Sequence, residues 1–389
     1  MNTVDGYVHP AFAEVAERFQ RLFRKPGSGG GALAIRLRDQ QVVDLWAGSI
    51  DPEGTQPWRE DTMAMSFSTT KGVAATVIHR LADRGLISYD ERVATYWPEF
   101  GANGKHDITV RQMLSHQAGL HNVRDLLTAT DDMLDHRLIE DRLAAAAPSP
   151  APGTGPGYHG FTFGWLASGL ARAVTGEDMK DLVTKEVAEP LGTDGINIGL
   201  EPEDKTRVAP LIFGSWGPVR SLGTQGHRTA FTKRVGDAFF VEDFDDRLGD
   251  PDQRILEAQM PAVNGTFTAR GLARMYGALA NGGMVDGVEL LSRGTVHELG
   301  RVVTRDRDYI LAIRMRWRMG YHQAFTGVRS PRQAFGHYGF GGSGGWADPA
   351  TGLSVGFVTN RLGSATTPIA DARLVRLSGL AITAAQRLA

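Results

Sequence analysis

The 389-residue sequence contains no cysteine. That absence excludes disulfides, thiol nucleophiles and thiolate metal sites, and it fits a reducing compartment. Charge of one sign is also missing: 42 Lys and Arg face 44 Asp and Glu, for a formal net charge of −2 and a pI near 6.6. A nucleic-acid or anionic-membrane partner would leave a stronger electrostatic signature. No stretch approaches the ~20 apolar residues that cross a bilayer, so no membrane span is expected. The histidines, His106, His116 and His121 among them, show no H-E-x-x-H or comparable spacing, so no metal and no cofactor are expected. The acidic residues are scattered, with no glycosidase-type pair. Met1 to Gly6 lacks a basic n-region and an apolar h-region. His9 to Lys25, with Phe12, Val15, Phe19 and Phe23 near one side, reads as a structural amphipathic helix and not a signal peptide. The expected address is cytoplasmic.

What is present is enough chain for a large core and two layers around one site. Ala32–Leu37 and Gln41–Trp46 read as two strands joined by the turn Arg38-Asp39-Gln40. From Thr69 to about Ala188 Leu and Ala recur at helical spacing, interrupted by Ala147-Pro148-Ser149-Pro150-Ala151-Pro152-Gly153-Thr154-Gly155-Pro156-Gly157. That run cannot be helical and is expected to be an ordered surface loop or a linker. Thr266 to Tyr276 reads as a capped helix, with Gly282-Gly283 closing the next one. Ala334–Gly339, Gly345–Asp348 and Leu353–Asn360 read as a Gly-punctuated strand meander, and a final helix is expected from about Pro368 to Ala385. A hairpin at one end and a meander at the other most economically share one antiparallel sheet, with the helical middle packed against it, an α+β arrangement.

Chemistry enters at Ser68-Thr69-Thr70-Lys71, an S-x-x-K tetrad at the head of an apolar-rich helix running through Leu81. A serine there sits in the positive field of unpaired helix amides, and a lysine three residues on shares its face. Such a lysine can hold, and when neutral accept, the hydroxyl proton. Taken alone the tetrad is equally a capped amphipathic helix with a solvated lysine. A competing serine lies in Gly341-Gly342-Ser343-Gly344-Gly345, which fits the G-x-S-x-G elbow. The elbow needs a long helix after it, whereas Trp346-Ala347-Asp348-Pro349 and a strand follow here. Ser343 is therefore expected to mark a tight region between strands.

Two further elements follow the tetrad in order: Tyr158-His159-Gly160 after the Pro/Gly loop, and His337-Tyr338-Gly339 on a strand near the end. Ser-x-x-Lys, then Tyr-x-x, then an x-x-Gly strand resembles the serine β-lactamase and penicillin-binding-protein superfamily, whose opening motif has a known nucleophilic role. Gln112-Met113-Leu114-Ser115-His116-Gln117-Ala118-Gly119-Leu120, Val174-Thr175-Gly176-Glu177, Glu189-Pro190-Leu191-Gly192 and Ala347-Asp348-Pro349 extend the match over most of the chain. Within the superfamily the chain is most similar to the class C-like esterases, the family VIII carboxylesterases. Two departures point there: Gly160 stands where lactamases have Asn, and His337, mostly neutral at pH 7, where they have Lys.

The resemblance implies a β-lactamase/transpeptidase-like fold in one catalytic domain, an α/β subdomain of residues 1–65 and 300–389 with a mainly helical subdomain of 66–299. It implies an acyl-enzyme on Ser68, with Tyr158 and Lys71 as general base and the phenol pKa lowered by the lysine. The backbone N–H groups of Ser68 and Phe340 would hold the oxyanion, and His337 and Gly339 would line the substrate. The expected reaction is hydrolysis of short-chain carboxylic esters, small-molecule substrates, and a homo-oligomer is compatible with the sequence. An acyltransferase would use the same acyl-enzyme. A β-lactamase or DD-peptidase is disfavoured by the two departures, and a binding protein by retention of Ser68, Lys71 and Tyr158. The orientation of His159 is left open.

Overall fold

In the computed structural model, residues 4–25, 27–213, 229–327, 331–363 and 371–388 are described. Among the described residues, twelve strands form three sheets. They are β1 (Val4–Val8), β2 (Gly30–Leu37), β3 (Gln40–Gly48), β4 (Ala64–Met65), β5 (Ile196–Asn197), β6 (Thr266–Phe267), β7 (Met284–Val285), β8 (Val288–Glu289), β9 (His322–Gln323), β10 (Phe335–Tyr338), β11 (Gly344–Asp348) and β12 (Leu353–Thr359). The main sheet is antiparallel with seven strands in the order β1-β3-β2-β12-β11-β10-β9. The expected sharing of one sheet by the N-terminal hairpin and the C-terminal meander is what the pairing of β2 with β12 achieves, from Leu353 opposite Leu37 to Thr359 opposite Gly31. The antiparallel sheet flanked by helices is the expected β-lactamase/transpeptidase-like α+β fold.

Alternation along the central strands sorts residues by size as well as by polarity. Leu33, Ile35, Val355 and Phe357 point to one face, where they meet Val15 and Phe19 of the helix Ala13–Leu22 and Leu374 and Leu377 of the helix Ala372–Gln386. Each such side chain contributes about 1.5–3 kcal/mol on full burial. Small residues face the other way: Ala32 and Ala34 border the second core, Ser354 donates its hydroxyl to Ala273 O at 2.8 Å, and Gly356 lies against Ala269. The helix Ala269–Ala280 can therefore lie close on that face. Beyond it sits the helix Thr69–Asp83, buried from Thr69 through His79 between the sheet and the helix Thr162–Thr175.

Three details depart from expectation. Val4–Val8 is a strand paired with β3, although Val4-Asp5-Gly6-Tyr7-Val8 is too polar to announce one. Thr266-Phe267 is a short strand, and Thr268, accepting from Gly271 N, caps a single helix that runs on to Ala280. The last helix begins at Ala372, capped by Asp371, and Pro368 lies outside the described residues.

The end of β10 reaches the Ser68 turn through Gly339. The Gly339 N–H donates to Ser343 O at 2.8 Å and the Thr69 hydroxyl to the same carbonyl at 3.1 Å, tying strand, glycine run and helix head together. A Cβ on Gly339 would fall 2.1 Å from Ser66 O and 2.8 Å from Thr69 Oγ1. Gly339→Ala must therefore drive the strand from the turn. We expect a loss of about 1–3 kcal/mol in urea unfolding, together with a fall in Ser68 reactivity larger than the stability loss alone explains.

Candidate active site

The chain enters the Ser68 helix by a strained route. Ala64–Met65 is strand, Phe67 then adopts a left-handed φ of 45°, and Ser68 is right-handed at −63°. A bulky residue with positive φ costs on the order of 1–3 kcal/mol and persists only where its surroundings fix it. Here Ser66 N donates to Gly265 O at 2.8 Å, while Thr69 N and Thr70 N donate back to Ser66 O and Phe67 O. Every residue from Thr62 to His79 is buried except Ser68, which is partly exposed. The turn thus presents one hydroxyl to solvent from an otherwise closed segment.

Lys71 and Tyr158 both reach that hydroxyl. Lys71 Nζ and Tyr158 OH each lie 2.9 Å from Ser68 Oγ. The Lys71 side chain is fully buried, and its Nζ also lies 2.6 Å from Gly160 O and 3.0 Å from Ala262 O. Burial pushes the ammonium well below its ordinary 10.5, with no carboxylate to oppose the shift. Nζ donates to three oxygens, those of Ser68, Gly160 and Ala262, so the fold holds the amine at a fixed place beside the hydroxyl. Tyr158 moves the other way. Its phenol is raised above 10, chiefly by burial, the Asp308 charge adding to the rise and the Ser68 contact opposing it. The expected lowering by Lys71 is overturned, because burial of the phenol itself dominates and Asp308 adds to it.

The Pro/Gly run is an ordered, pinned loop. Ser149 N donates to Gly119 O, Gly153 N to Gln117 O and Gly157 N to His116 O, at 2.8, 3.0 and 2.8 Å. The segment Gln112–Leu120 is therefore a bracket that delivers Tyr158. His116 accepts from His159 N at 3.2 Å and His159 Nε2 accepts from Leu120 N at 3.0 Å. The orientation of His159 is thus structural; burial holds it at about 3, so it is neutral at pH 7.

Asp308 and Trp317, which lie in no recognisable motif, set the Tyr158 ring. Trp317 stacks on it at 5.3 Å and 8°, and Asp308 Oδ2 accepts from Trp317 Nε1 at 2.9 Å. Asp308 Oδ1 accepts from Tyr158 N, Ile310 N and Leu311 N at 3.1, 2.9 and 2.8 Å. Only His116 carried a signal, inside the quoted Gln112–Leu120 match. Asp308 sits in an unremarkable Arg-Asp-Arg-Asp run.

His337 lies behind this group, its ring 6.2 Å from that of Tyr158 and 4.8 Å from that of His322. Burial, with His322 and Lys71 beside it, drives it well below 6.5, so no fixed cation stands there. Phe340 follows Gly339 and sets its ring 5.7 Å from that of Phe67, bringing the strand end beside the Ser68 turn. Ser343 is buried, its Oγ accepting from Thr359 N at 3.2 Å, and it lines a turn between β10 and β11. Among the described residues, no group of three or more His, Cys, Asp or Glu side chains could hold a metal, and no helix is long and apolar enough to cross a membrane.

A serine at a strained helix head, with a buried lysine and a tyrosine on its oxygen and a sheet strand alongside, defines the Beta-lactamase family. The chain belongs to it: the model of that family matches residues 15–380. It is 47% identical to Esterase/beta-lactamase LipL of Mycobacterium tuberculosis over 367 residues, 92% of this chain and 83% of that protein. A family VIII carboxylesterase of known structure aligns with a TM-score of 0.86 at 35% identity, covering 98% of this chain and 100% of the other. A penicillin-binding-protein homologue from Caulobacter crescentus gives a TM-score of 0.87 at 35% identity with the same coverage, 98% and 100%.

Two outcomes follow from the charges and contacts of this site. The neutral form of Lys71 is the one able to accept a proton, so reactivity is present above its lowered pKa and lost as pH falls through it. Labelling of Ser68 by a fluorophosphonate should therefore rise with pH and level off well below the ordinary lysine value of 10.5. Lys71→Arg, whose guanidinium stays charged, should cut the labelling rate at least about 10²-fold across the range. Asp308→Ala leaves four donors without their acceptor. At about 1–3 kcal/mol for an unpaired buried group, the variant should lose at least about 2 kcal/mol in urea unfolding and label more slowly. A wild-type unfolding midpoint would show that Asp308 holds nothing.

Proposed function

We propose that the protein is a carboxylesterase that hydrolyses short-chain, small-molecule carboxylic esters through an acyl-enzyme on Ser68. The observation that carries this reading is the pair of contacts on Ser68 Oγ, Lys71 Nζ and Tyr158 OH each at 2.9 Å. The names of the relatives support it: the mycobacterial protein is called an esterase/β-lactamase and a structural neighbour a carboxylesterase.

In this reading Lys71, its ammonium disfavoured by burial, takes the Ser68 proton in its neutral form as Oγ attacks the ester carbonyl. Losing such a base typically costs about 10²–10⁴-fold. Tyr158 stays protonated and donates its hydrogen bond to Oγ, so its work lies in the second half of the step. The phenol protonates the departing alkoxide, and the proton held by Lys71 restores the pair. The N–H of Ser68 at the helix head and that of Phe340 at the strand end hold the oxyanion. Water then attacks the acyl-enzyme, with Lys71 and Tyr158 acting in reverse. His337 and Gly339 form the wall beside them. The site lies where residues 66–299 meet the sheet formed by 1–65 and 300–389, and the reaction is placed in the cytoplasm. No cofactor is needed.

The neutrality of His337 favours esters over β-lactams. A lactam carboxylate calls for a persistent cation, and a buried, neutral imidazole supplies none. p-Nitrophenyl acetate and butyrate should turn over with kcat/KM at least about 10²-fold above a chromogenic cephalosporin at pH 7–8. Equal values would overturn the esterase reading, and preferential transfer to an added alcohol would make the enzyme an acyltransferase.

The nucleophile is tested separately. Ser68→Ala should abolish hydrolysis, Ser343→Ala should retain most of it, and a phosphonate adduct should map to Ser68 by mass spectrometry. An adduct on Ser343 would move the chemistry to the glycine run. Because Lys71 and Tyr158 share one oxygen, Lys71→Ala with Tyr158→Phe should be little slower than either alone.

A further inference from the structure

Gly160 is a glycine without a backbone reason. Its φ is not in the left-handed region, so an L-residue could adopt its conformation. Space is what it lacks. A Cβ at this position would lie 2.7 and 2.9 Å from Cε1 and Cδ1 of Phe239, and 3.3 Å from Ala238 O. The backbone there cannot retreat, because Gly160 O receives the 2.6 Å bond from Lys71 and the preceding His159 is held at both its backbone N–H and its Nε2.

Phe239 ends the helix Ala230–Phe239, whose last turn is closed by Phe240 N donating to Gly236 O at 2.8 Å. Its ring lies 5.7 Å from that of Tyr158 at 39°, over a small apolar cluster of Tyr158, Ala238, Ile310, Met315 and Trp317. The ring remains half-buried. An apolar, partly exposed ring thus stands beside the tyrosine that touches Ser68 Oγ, in the space that any side chain at position 160 would occupy.

We propose that Phe239 is a specificity-determining residue: its ring replaces whatever side chain position 160 could offer, and limits the ester substituent lying over Tyr158–Gly160 to a small apolar group. The proposal rests on the esterase reading for its substrate class. A polar donor from residue 160 is excluded, so substrates bearing an amide or other hydrogen-bonding substituent there find only ring carbon. Small alkyl groups lose little by that contact and gain apolar burial, whereas bulky ones meet the ring itself.

The test pairs the two positions. Gly160→Asn in the otherwise unchanged protein should slow fluorophosphonate labelling of Ser68 at least tenfold, because the new side chain and Phe239 cannot share the space. In a Phe239→Ala background the same change should cost less than threefold, since contacting sites depart from additivity. Equal losses in both backgrounds would overturn the steric link. Phe239→Ala should also raise kcat/KM for bulky esters relative to acetate at least tenfold in one of two series, one varying the acyl group and one the alcohol. An unchanged profile in both series overturns the specificity role. Phe239→Leu, which keeps an apolar side chain, covers the case in which the alanine variant fails to fold. Labelling needs no ester turnover. A protein that labels at Ser68 with the predicted coupling but cleaves no ester would sink the esterase reading and leave the Phe239–Gly160 contact standing.

Discussion

A lysine buried without an acidic partner is the constraint on which the site depends. An ammonium inside protein is costly unless paired, and among the described residues Lys71 Nζ bonds only to Ser68, Gly160 and Ala262 oxygens. What the fold supplies instead is two carbonyls, from Gly160 and Ala262, that accept from Nζ and hold it beside Ser68 Oγ. These carbonyls come from parts of the chain about one hundred residues apart, so the position of the amine is defined by tertiary packing and not by the helix that carries it. The strained Phe67 turn serves the same end, because it exposes Ser68 while leaving its neighbours buried.

Around that pair the protein spends its buried polar groups on orientation. His116, His159, Asp308 and Trp317 contribute hydrogen bonds and ring contacts that fix the Tyr158 loop and the plane of its phenol. The buried histidines are held neutral by desolvation, with His116 and His337 well below 6.5 and His322 at about 4. The histidines therefore add no fixed positive charge to the site at neutral pH.

The sequence announced the order of the motifs, the shared sheet and the residues that meet at Ser68, because strands of period two and a helix of apolar residues carry a local signal. It did not announce the direction of the Tyr158 shift, since that depends on how deeply the fold buries the phenol and on Asp308, 150 residues away in the chain. Asp308 was illegible for a related reason. The Arg305-Asp306-Arg307 run before it suggests a solvated stretch, while its partners at Tyr158 and Trp317 are supplied by the fold. Gly160 was visible as a departure from the lactamase pattern, yet the ring that requires it lies on a helix some eighty residues away. β1 was missed because a strand carrying Asp5 and Gly6 at an edge has little hydrophobic alternation to read.

The central pairing of β2 with β12 bears on how the molecule comes to exist. Gly30 N–H donates to Asn360 Oδ1 across 330 residues, and the last strands of the sheet also carry the Ser343 carbonyl that Thr69 and Gly339 share. Contacts so distant along the chain close large loops and form late. During synthesis the Ser68 helix leaves the ribosome long before β10 to β12, the strands that brace its first turn, have been made. The Ser68 turn is therefore completed only when the far end of the chain arrives, and a nascent or prematurely terminated polypeptide would carry Ser68, Lys71 and Tyr158 without the frame that braces them.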